Sequence, residues 1–354
     1  MSDLISTFST LQQKRRSPPA RRKLRLVDSA DVSTDLVPAL RQMDLLASGD
    51  LPRVSILASS ATAHVYRVDL GWGPVCVKRA LLNGSGNAQA LALERVSAEI
   101  GWFKVACGVA PGAAPAVLGS LPGAGVFAME YLEPEEFPSW QSRLAAGRLE
   151  PWAAAELGHL VGRLHAASAH SAVVRERFSA RTAFKTLSLA PRLQQAASAH
   201  TGCGPMLARL EESMAATHVA LVHGALSPDN LLLGPRGPVL IDADCAHSGD
   251  PMFDVATCLG ALAVRMVGHS QRRAELVSAY DAFYHSYFAH VTWEMSERAE
   301  ARAAALMPAL LLANFAADAS GADRRRQCAI AYAMLSDPSR RLDDLCIRWL
   351  EALD

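Results

Sequence analysis

The sequence predicts an α+β protein of two lobes, a small β-rich N-terminal lobe and a larger helical C-terminal lobe. Three observations carry that prediction. At 354 residues the chain exceeds the size at which one hydrophobic core stops growing. Residues 51–79 read as short β-type runs punctuated by glycine, whereas from residue 133 onward apolar side chains recur almost throughout at helical spacing. One stretch inside the helical half, residues 219–244, reverts to short β-runs around a polar loop, the arrangement in which chemistry is usually placed.

Taken in order, residues 35–48 space their leucines as a helix that ends near Gly49. The runs AHVYRVDL (Ala63–Leu70) and PVCVK (74–78) flank Gly71-Trp72-Gly73, a hairpin signal. A helix is predicted over 90–106, with Glu94 and Glu99 among its positions. Two further strands are predicted at 116–119 and 125–131. The helical half begins with the alanine-rich 153–169. Further helices are predicted near 192–197, 205–216, 255–267, 272–288, 296–316 and 324–335. Gly234-Pro235-Arg236-Gly237 is a tight turn between two strands. The domain boundaries that follow are 1–48 for an N-terminal extension, 49–132 for the small lobe and 133–354 for the helical lobe, which contains the polar loop region 221–254.

Composition narrows the partners. Half the residues are apolar and 20% are charged, an ordinary globular balance. Lysine plus arginine equals aspartate plus glutamate at 35 each, so no global field points to nucleic acid or a membrane surface. The seven cysteines are scattered without a Cys-x-x-Cys pair, which fits a reducing cytoplasm better than a disulfide framework or a zinc site. No apolar run approaches the length of a bilayer span, so a cytoplasmic protein is expected. Lys14-Arg15-Arg16 and Arg21-Arg22-Lys23, broken by prolines, read as a solvated tail rather than a docking arm.

The chemistry concentrates in LVHGALSPDNLLLGPRGPVLIDADCAHSGDPMFDVATCL, residues 221–259. A phosphoryl group is transferred by holding a nucleotide with cations, holding Mg²⁺ with oxygen ligands and orienting the attacking hydroxyl. Asn230 closes the polar loop and Asp242 ends the apolar run beyond the tight turn, so a hairpin can bring two oxygen-bearing side chains to one edge.

The segment resembles the signature of aminoglycoside phosphotransferases and related small-molecule kinases. Their pattern is His-Gly-Asp, four residues, Asn, then Ile-Asp leading to Gly-Asp-Pro and another Asp. Here His223-Gly224-Ala225, Asn230, Ile241-Asp242, Gly249-Asp250-Pro251 and Asp254 stand in that order and spacing, and Gly162-Arg163-Leu164-His165-Ala166 is also similar to the family. The resemblance implies a protein-kinase-like fold that uses ATP and Mg²⁺ to phosphorylate the hydroxyl of a small molecule. It implies Asn230 and Asp242 as the metal ligands, His223 as a brace of the loop and Asp254 as the group that holds the loop backbone. Lys78, at the end of Val75-Cys76-Val77-Lys78, would contact the α and β phosphates, with Glu99 as its carboxylate partner and Glu94 left open. Residues 57–64 (LASSATAH) take the place of the phosphate-covering loop without a single glycine, offering Ser59, Ser60 and Thr62 as hydroxyl donors. Residues 129–132, with Met129 and Tyr131, would meet the adenine.

The sequence departs from the family at one decisive place. Where the family sets the aspartate that accepts the proton of the attacking hydroxyl, this chain has Ala225. Asp229 on the same loop is a substitute base, Asp244 another nearby carboxylate, and Asp250 a group that could meet a cationic substrate. His159 and His165, on the alanine-rich helix, are expected to pack or lie at the surface rather than ligate. Three readings stay open: a phosphotransferase with another base, a silent relative that binds nucleotide or a partner, or an Asp-to-Ala form of an active kinase.

Overall fold

The computed structural model describes residues 29–82, 84, 86–268, 270–316 and 322–353. The basic clusters at residues 14–23 lie outside them. The chain divides into two compact units, one of Met1–Val96 with Val117–Tyr131 and one of Ser97–Ala116 with Leu132–Asp354.

The first unit is a five-stranded antiparallel sheet in the order β1-β2-β3-β5-β4. Its strands are β1 (Arg53–Ser59), β2 (Ala63–Leu70), β3 (Gly73–Ala80), β4 (Val117–Leu121) and β5 (Val126–Glu130). Successive side chains on a strand point to opposite faces, so the valines of these runs sort themselves by parity. Tyr66, Val68 and Leu70 on β2, Val75 and Val77 on β3 and Val126 and Ala128 on β5 bury one face against Leu36, Val37 and Leu40 of helix α1 (Ser29–Gln42). The helix expected at 35–48 is therefore shifted toward the N-terminus. Its predicted last turn is instead a reversal through Asp44, whose φ of 58° no helix tolerates. Register places Val65, Lys78 and Phe127 side by side, and likewise Arg67, Cys76 and Met129, so Lys78 and Met129 share the opposite sheet face. Residues 57–59, expected within a covering loop, are the end of β1, and the connection to β2 is only Ser60–Thr62.

Helix α2 (Asn87–Val109) follows β3 and contributes its early residues to the first unit and its later ones to the second. The second unit is helical, with α3 (Trp140–Ala145), α4 (Pro151–Ser168), α5 (Ala172–Arg177), α6 (Ala190–Ala199), α7 (Gly204–Ala216), α8 (Met252–Gly268), α9 (Arg273–Phe288), α10 (Ser296–Ala316), α11 (Ala322–Ser336) and α12 (Leu342–Leu353). Helices α4 and α9 pack at close range because Gly158 has no side chain: a Cβ there would lie 2.5 Å from the Phe283 carbonyl oxygen. Helix α12 escaped the sequence reading. Its Leu342, Leu345, Cys346 and Trp349 follow an i, i+3, i+4, i+7 stripe, and all four are buried, with Trp349 stacked on Phe315 at 5.6 Å. Two small antiparallel ladders interrupt the helices, β6 (Ala220–Val222) with β9 (His247–Gly249) and β7 (Leu231–Gly234) with β8 (Gly237–Leu240). Among the described residues no helix is long and apolar enough to cross a membrane.

Candidate functional site

The two ladders of the second unit frame the polar loop. The β6 strand delivers the chain to His223, and the β7–β8 hairpin returns it to Asp242. Asp254, in the first turn of α8, takes hold of the loop from its buried side. The His223 N–H donates to Asp254 Oδ2 at 2.7 Å and the Gly224 N–H donates to Oδ1 at 3.0 Å. His165 on α4 sets its Nε2 3.4 Å from the same carboxylate, while its Nδ1 meets the Tyr287 hydroxyl at 2.8 Å. Buried carboxylates survive only when hydrogen-bonded in this way. Burial works to raise the Asp254 carboxyl, and the bonds and charges of His165 and His223 outweigh it, holding it below the usual carboxylate range.

The His223 ring completes the brace. Its Nε2 donates to the Ile241 carbonyl at 3.1 Å, which leaves Nδ1 to accept the Ala225 N–H at 3.3 Å. Trp102 meets the ring edge-on at 4.9 Å. Burial pushes this imidazole below its ordinary value against the opposing pull of Asp254 and Asp242, in keeping with a neutral ring that donates at one nitrogen and accepts at the other. Gly224 is dictated by space: its φ is 78°, and a Cβ there would stand 2.4 Å from the Cys245 carbonyl oxygen. The Ser188 hydroxyl donates to the Gly224 carbonyl at 2.7 Å from the other side.

Beyond Gly224 the loop fixes its own shape. The Ala225 carbonyl accepts the Ser227 N–H at 2.8 Å and the Asn230 Nδ2 amide at 2.9 Å. The Asn230 carbonyl accepts the Ile241 N–H at 3.0 Å, so the residue before Asp242 is tied directly to Asn230. Asp242 itself adopts φ 61°, a left-handed conformation that costs a non-glycine residue about 1 kcal/mol or more and is found preferentially at functional positions. Asn230 and Asp242 are both half-buried. The Asn230 side-chain nitrogen is spent on the Ala225 carbonyl. Two hard oxygen side chains of this kind suit Mg²⁺, which takes few protein ligands and completes its shell with water and phosphate. No group of three His, Cys, Asp or Glu side chains able to hold a metal occurs among the described residues.

The remaining sequence candidates separate clearly. Asp229 is exposed, and its charge is felt by Arg265 on α8. Asp250, offered by the sequence to a cationic substrate, is buried and already taken: Arg302 reaches its two oxygens at 2.8 and 3.2 Å, and the Met252 N–H donates to Oδ1. That pairing depends on a residue 52 positions away and has no local signature. Asp244 is buried beside the loop. His159 is exposed and bonds to His290 at 2.9 Å, while His165 is buried in the network above.

In the first unit Lys78 is buried on β3, and Met129 lies on the same sheet face. Tyr131 follows β5 under the guanidinium of Arg67, 4.7 Å from the ring centroid. Ser59 bonds to His64. Ser60 accepts the Thr62 and Ala63 N–H groups at 3.2 and 3.0 Å, so this turn occupies its own amides. Glu99 is fully buried on α2. Buried charges such as Lys78 and Glu99 are retained only where they are compensated.

One histidine outside the loop carries a pH consequence. His247 stacks on Phe184 at 3.9 Å, its Nδ1 donates to the Cys245 carbonyl, and burial pushes its pKa down to about 3. The unfolded chain binds a proton here below its ordinary value of 6.5 and the folded chain does not. Stability is therefore full above that value and falls as the pH drops toward 3, by about 5 kcal/mol from this group alone. Acid titration followed by circular dichroism is expected to show that loss, with a shallower slope in His247→Gln.

Residues 53–306 match the APH phosphotransferase enzyme family. No curated protein matches the chain. Among solved structures, a choline kinase from Cryptosporidium parvum Iowa II covers 90% of this chain and 98% of its own at 11% identity, with a TM-score of 0.52. An ethanolamine kinase from Plasmodium vivax covers 89% and 95% at 10% identity, also with a TM-score of 0.52. Such likeness shows a shared fold, while the family match spans well over half of the chain and includes the whole loop from His223 to Asp254. The chain belongs to the APH phosphotransferase enzyme family.

Proposed function

We propose that this protein transfers a phosphoryl group from ATP, in the presence of Mg²⁺, to the hydroxyl of a small molecule. The observation that carries the reading is the braced loop: Asp254 and His223 hold residues 223–225 rigidly, while Asn230 is tied to Ile241 beside Asp242. Rigid positioning is most of what this reaction asks of a protein, because its transition state is loose and catalysis comes chiefly from orientation and electrostatics. Asn230 and Asp242 would hold the metal, whose charge would offset that of the phosphates. Lys78 is the cation proposed for the α and β phosphates, and Glu99 is retained as the carboxylate this family sets against it. Met129 and Tyr131 are proposed to meet the adenine. The Ala225 methyl accepts no proton, so the acceptor hydroxyl keeps its proton until late in transfer and gives it up to solvent or phosphate oxygen. The cost is a slower reaction. No nucleic acid or membrane partner enters this reading.

A second reading is favoured by Ala225 alone: a protein that binds nucleotide without turnover. Calorimetric titration with ATP, with and without Mg²⁺, tests the shared part of both. Saturable binding that tightens with Mg²⁺, and loses that tightening in Asn230→Ala and Asp242→Asn, is expected. Absence of binding in either condition would remove both readings. Assay of phosphate transfer over a panel of hydroxylated small molecules then separates an enzyme from a binder.

A further inference from the structure

The half-buried arginines of the second unit are not alike. Arg302 is neutralised by Asp250 and Glu294. Arg181 is spent on the Met214 and Ala215 carbonyls at the end of α7, and Arg265 on the Ala261 carbonyl and the Gln141 side chain. Arg192, in the first turn of α6, has no carboxylate within ion-pair distance among the described residues. Its Nη1 donates to the Thr257 hydroxyl at a long 3.3 Å, and its guanidinium lies 5.6 Å from the centre of the Phe253 ring. The group is packed deeply among protein atoms, yet the residue keeps partial access to solvent. Burial lowers its pKa, with Cys245 and Asp254 acting in the opposite sense. Asp254 is already committed to two backbone amides and His165. A guanidinium without an ion-pair partner in such a place is costly to maintain and is the group best shaped to grip an oxyanion.

Its position relates it to the loop. Helix α6 continues from a π-helical turn, Phe184–Leu189, in which the Ala190 N–H reaches back five residues to the Lys185 carbonyl. Pro191 has no N–H to extend that ladder, so the chain changes to α geometry there. Ser188 and Arg192 are four residues apart on this run and so lie on one side of it. Ser188 touches the Gly224 carbonyl, next to Ala225. From the same run Arg192 reaches Thr257, three residues beyond Asp254 on α8, so Ser188 and Arg192 both touch elements that carry the loop.

We propose that Arg192 is a specificity-determining residue that binds an oxyanion, a carboxylate or phosphate ester, carried by the hydroxyl-bearing acceptor. Assigning the anion to the acceptor rests on the phosphotransferase reading; the anion site itself does not. The acceptor class is then an acidic hydroxyl compound, such as a hydroxy acid or a sugar phosphate, rather than a polyamine.

The test is chemical protection of the whole chain. Phenylglyoxal modifies uncompensated guanidiniums, and peptide mass mapping reads each arginine separately. Arg192 is expected to react, and inorganic sulfate or D-glycerate at ten times its dissociation constant is expected to slow that reaction about tenfold. Choline is expected to give no protection. The proposal is overturned if Arg192 does not react, if neither anion protects it, or if choline protects it as well. Protection by MgATP as complete as that by D-glycerate would place the nucleotide's phosphate there and overturn the acceptor assignment. Sulfate titration by calorimetry provides the second arm, with binding expected to persist in Arg192→Lys and vanish in Arg192→Gln. ATP titration of the same sample keeps the two questions apart: anion protection without ATP binding would preserve the anion site and remove the acceptor.

Discussion

Replacing Ala225 by aspartate is expected to raise the rate of phosphoryl transfer by a factor of about 10² to 10⁴, the usual worth of a positioned general base. The backbone at this position is fixed before any side chain is added. Its N–H is held by the His223 ring, and its carbonyl by Ser227 and Asn230. The residue is half-buried, so a carboxylate can be accommodated without filling the core. The new group would be carried by a residue whose backbone is bonded to both His223 and Asn230, two of the residues that define the family pattern. Single-turnover transfer from ATP, compared between the chain with Ala225 and Ala225→Asp with the best acceptor from the panel, measures the change. An equal rate in the two proteins would mean that proton acceptance at residue 225 contributes nothing. The rate gain corresponds to about 3–5 kcal/mol of transition-state stabilisation, larger than any binding contact described above is expected to supply.

Asp254→Ala is expected to be the most destabilising single change in the second unit. It leaves the His223 and Gly224 N–H groups without their acceptor and His165 without its partner, all of them buried. Each orphaned buried donor costs about 1–3 kcal/mol, and two backbone donors are left without an acceptor. Thermal unfolding at neutral pH should show a loss of about 3–5 kcal/mol, with accelerated hydrogen exchange at the same two amides. Asp254→Asn keeps one acceptor and turns an amide N–H toward the other donor, so its loss is expected to be about 1–3 kcal/mol. A wild-type unfolding temperature in Asp254→Ala would mean that the loop holds itself together without the carboxylate.

The loop was legible in the sequence because its order is local. His223, Asn230, Asp242 and Asp254 fall within 32 consecutive residues, and hydrogen bonds inside that one segment join them. The strand pair Ala63–Leu70 and its partner were equally plain, since alternation and the Gly71-Trp72-Gly73 turn act within a few residues. Boundaries fared less well. The helix at 35–48 moved to Ser29–Gln42, because the leucine spacing continues beyond the point where Asp44 reverses the chain. Helix α12 was missed although its buried stripe is regular, for only the neighbouring helices show that this face is covered.

By itself, the sequence determined the two kinds of structure, the family and the identity of the residues at the loop, because periodicity and motif spacing are properties of the chain alone. The tertiary structure decided which charges are free to act. Asp250 and Arg302 are 52 residues apart and neutralise one another. Asp229 faces solvent within reach of the charge of Arg265, and Arg192 bonds to Thr257 with no carboxylate at ion-pair distance among the described residues. A side chain's charge is written in the sequence. Whether it is compensated depends on partners that folding brings from distant segments, and on how much water the packing excludes.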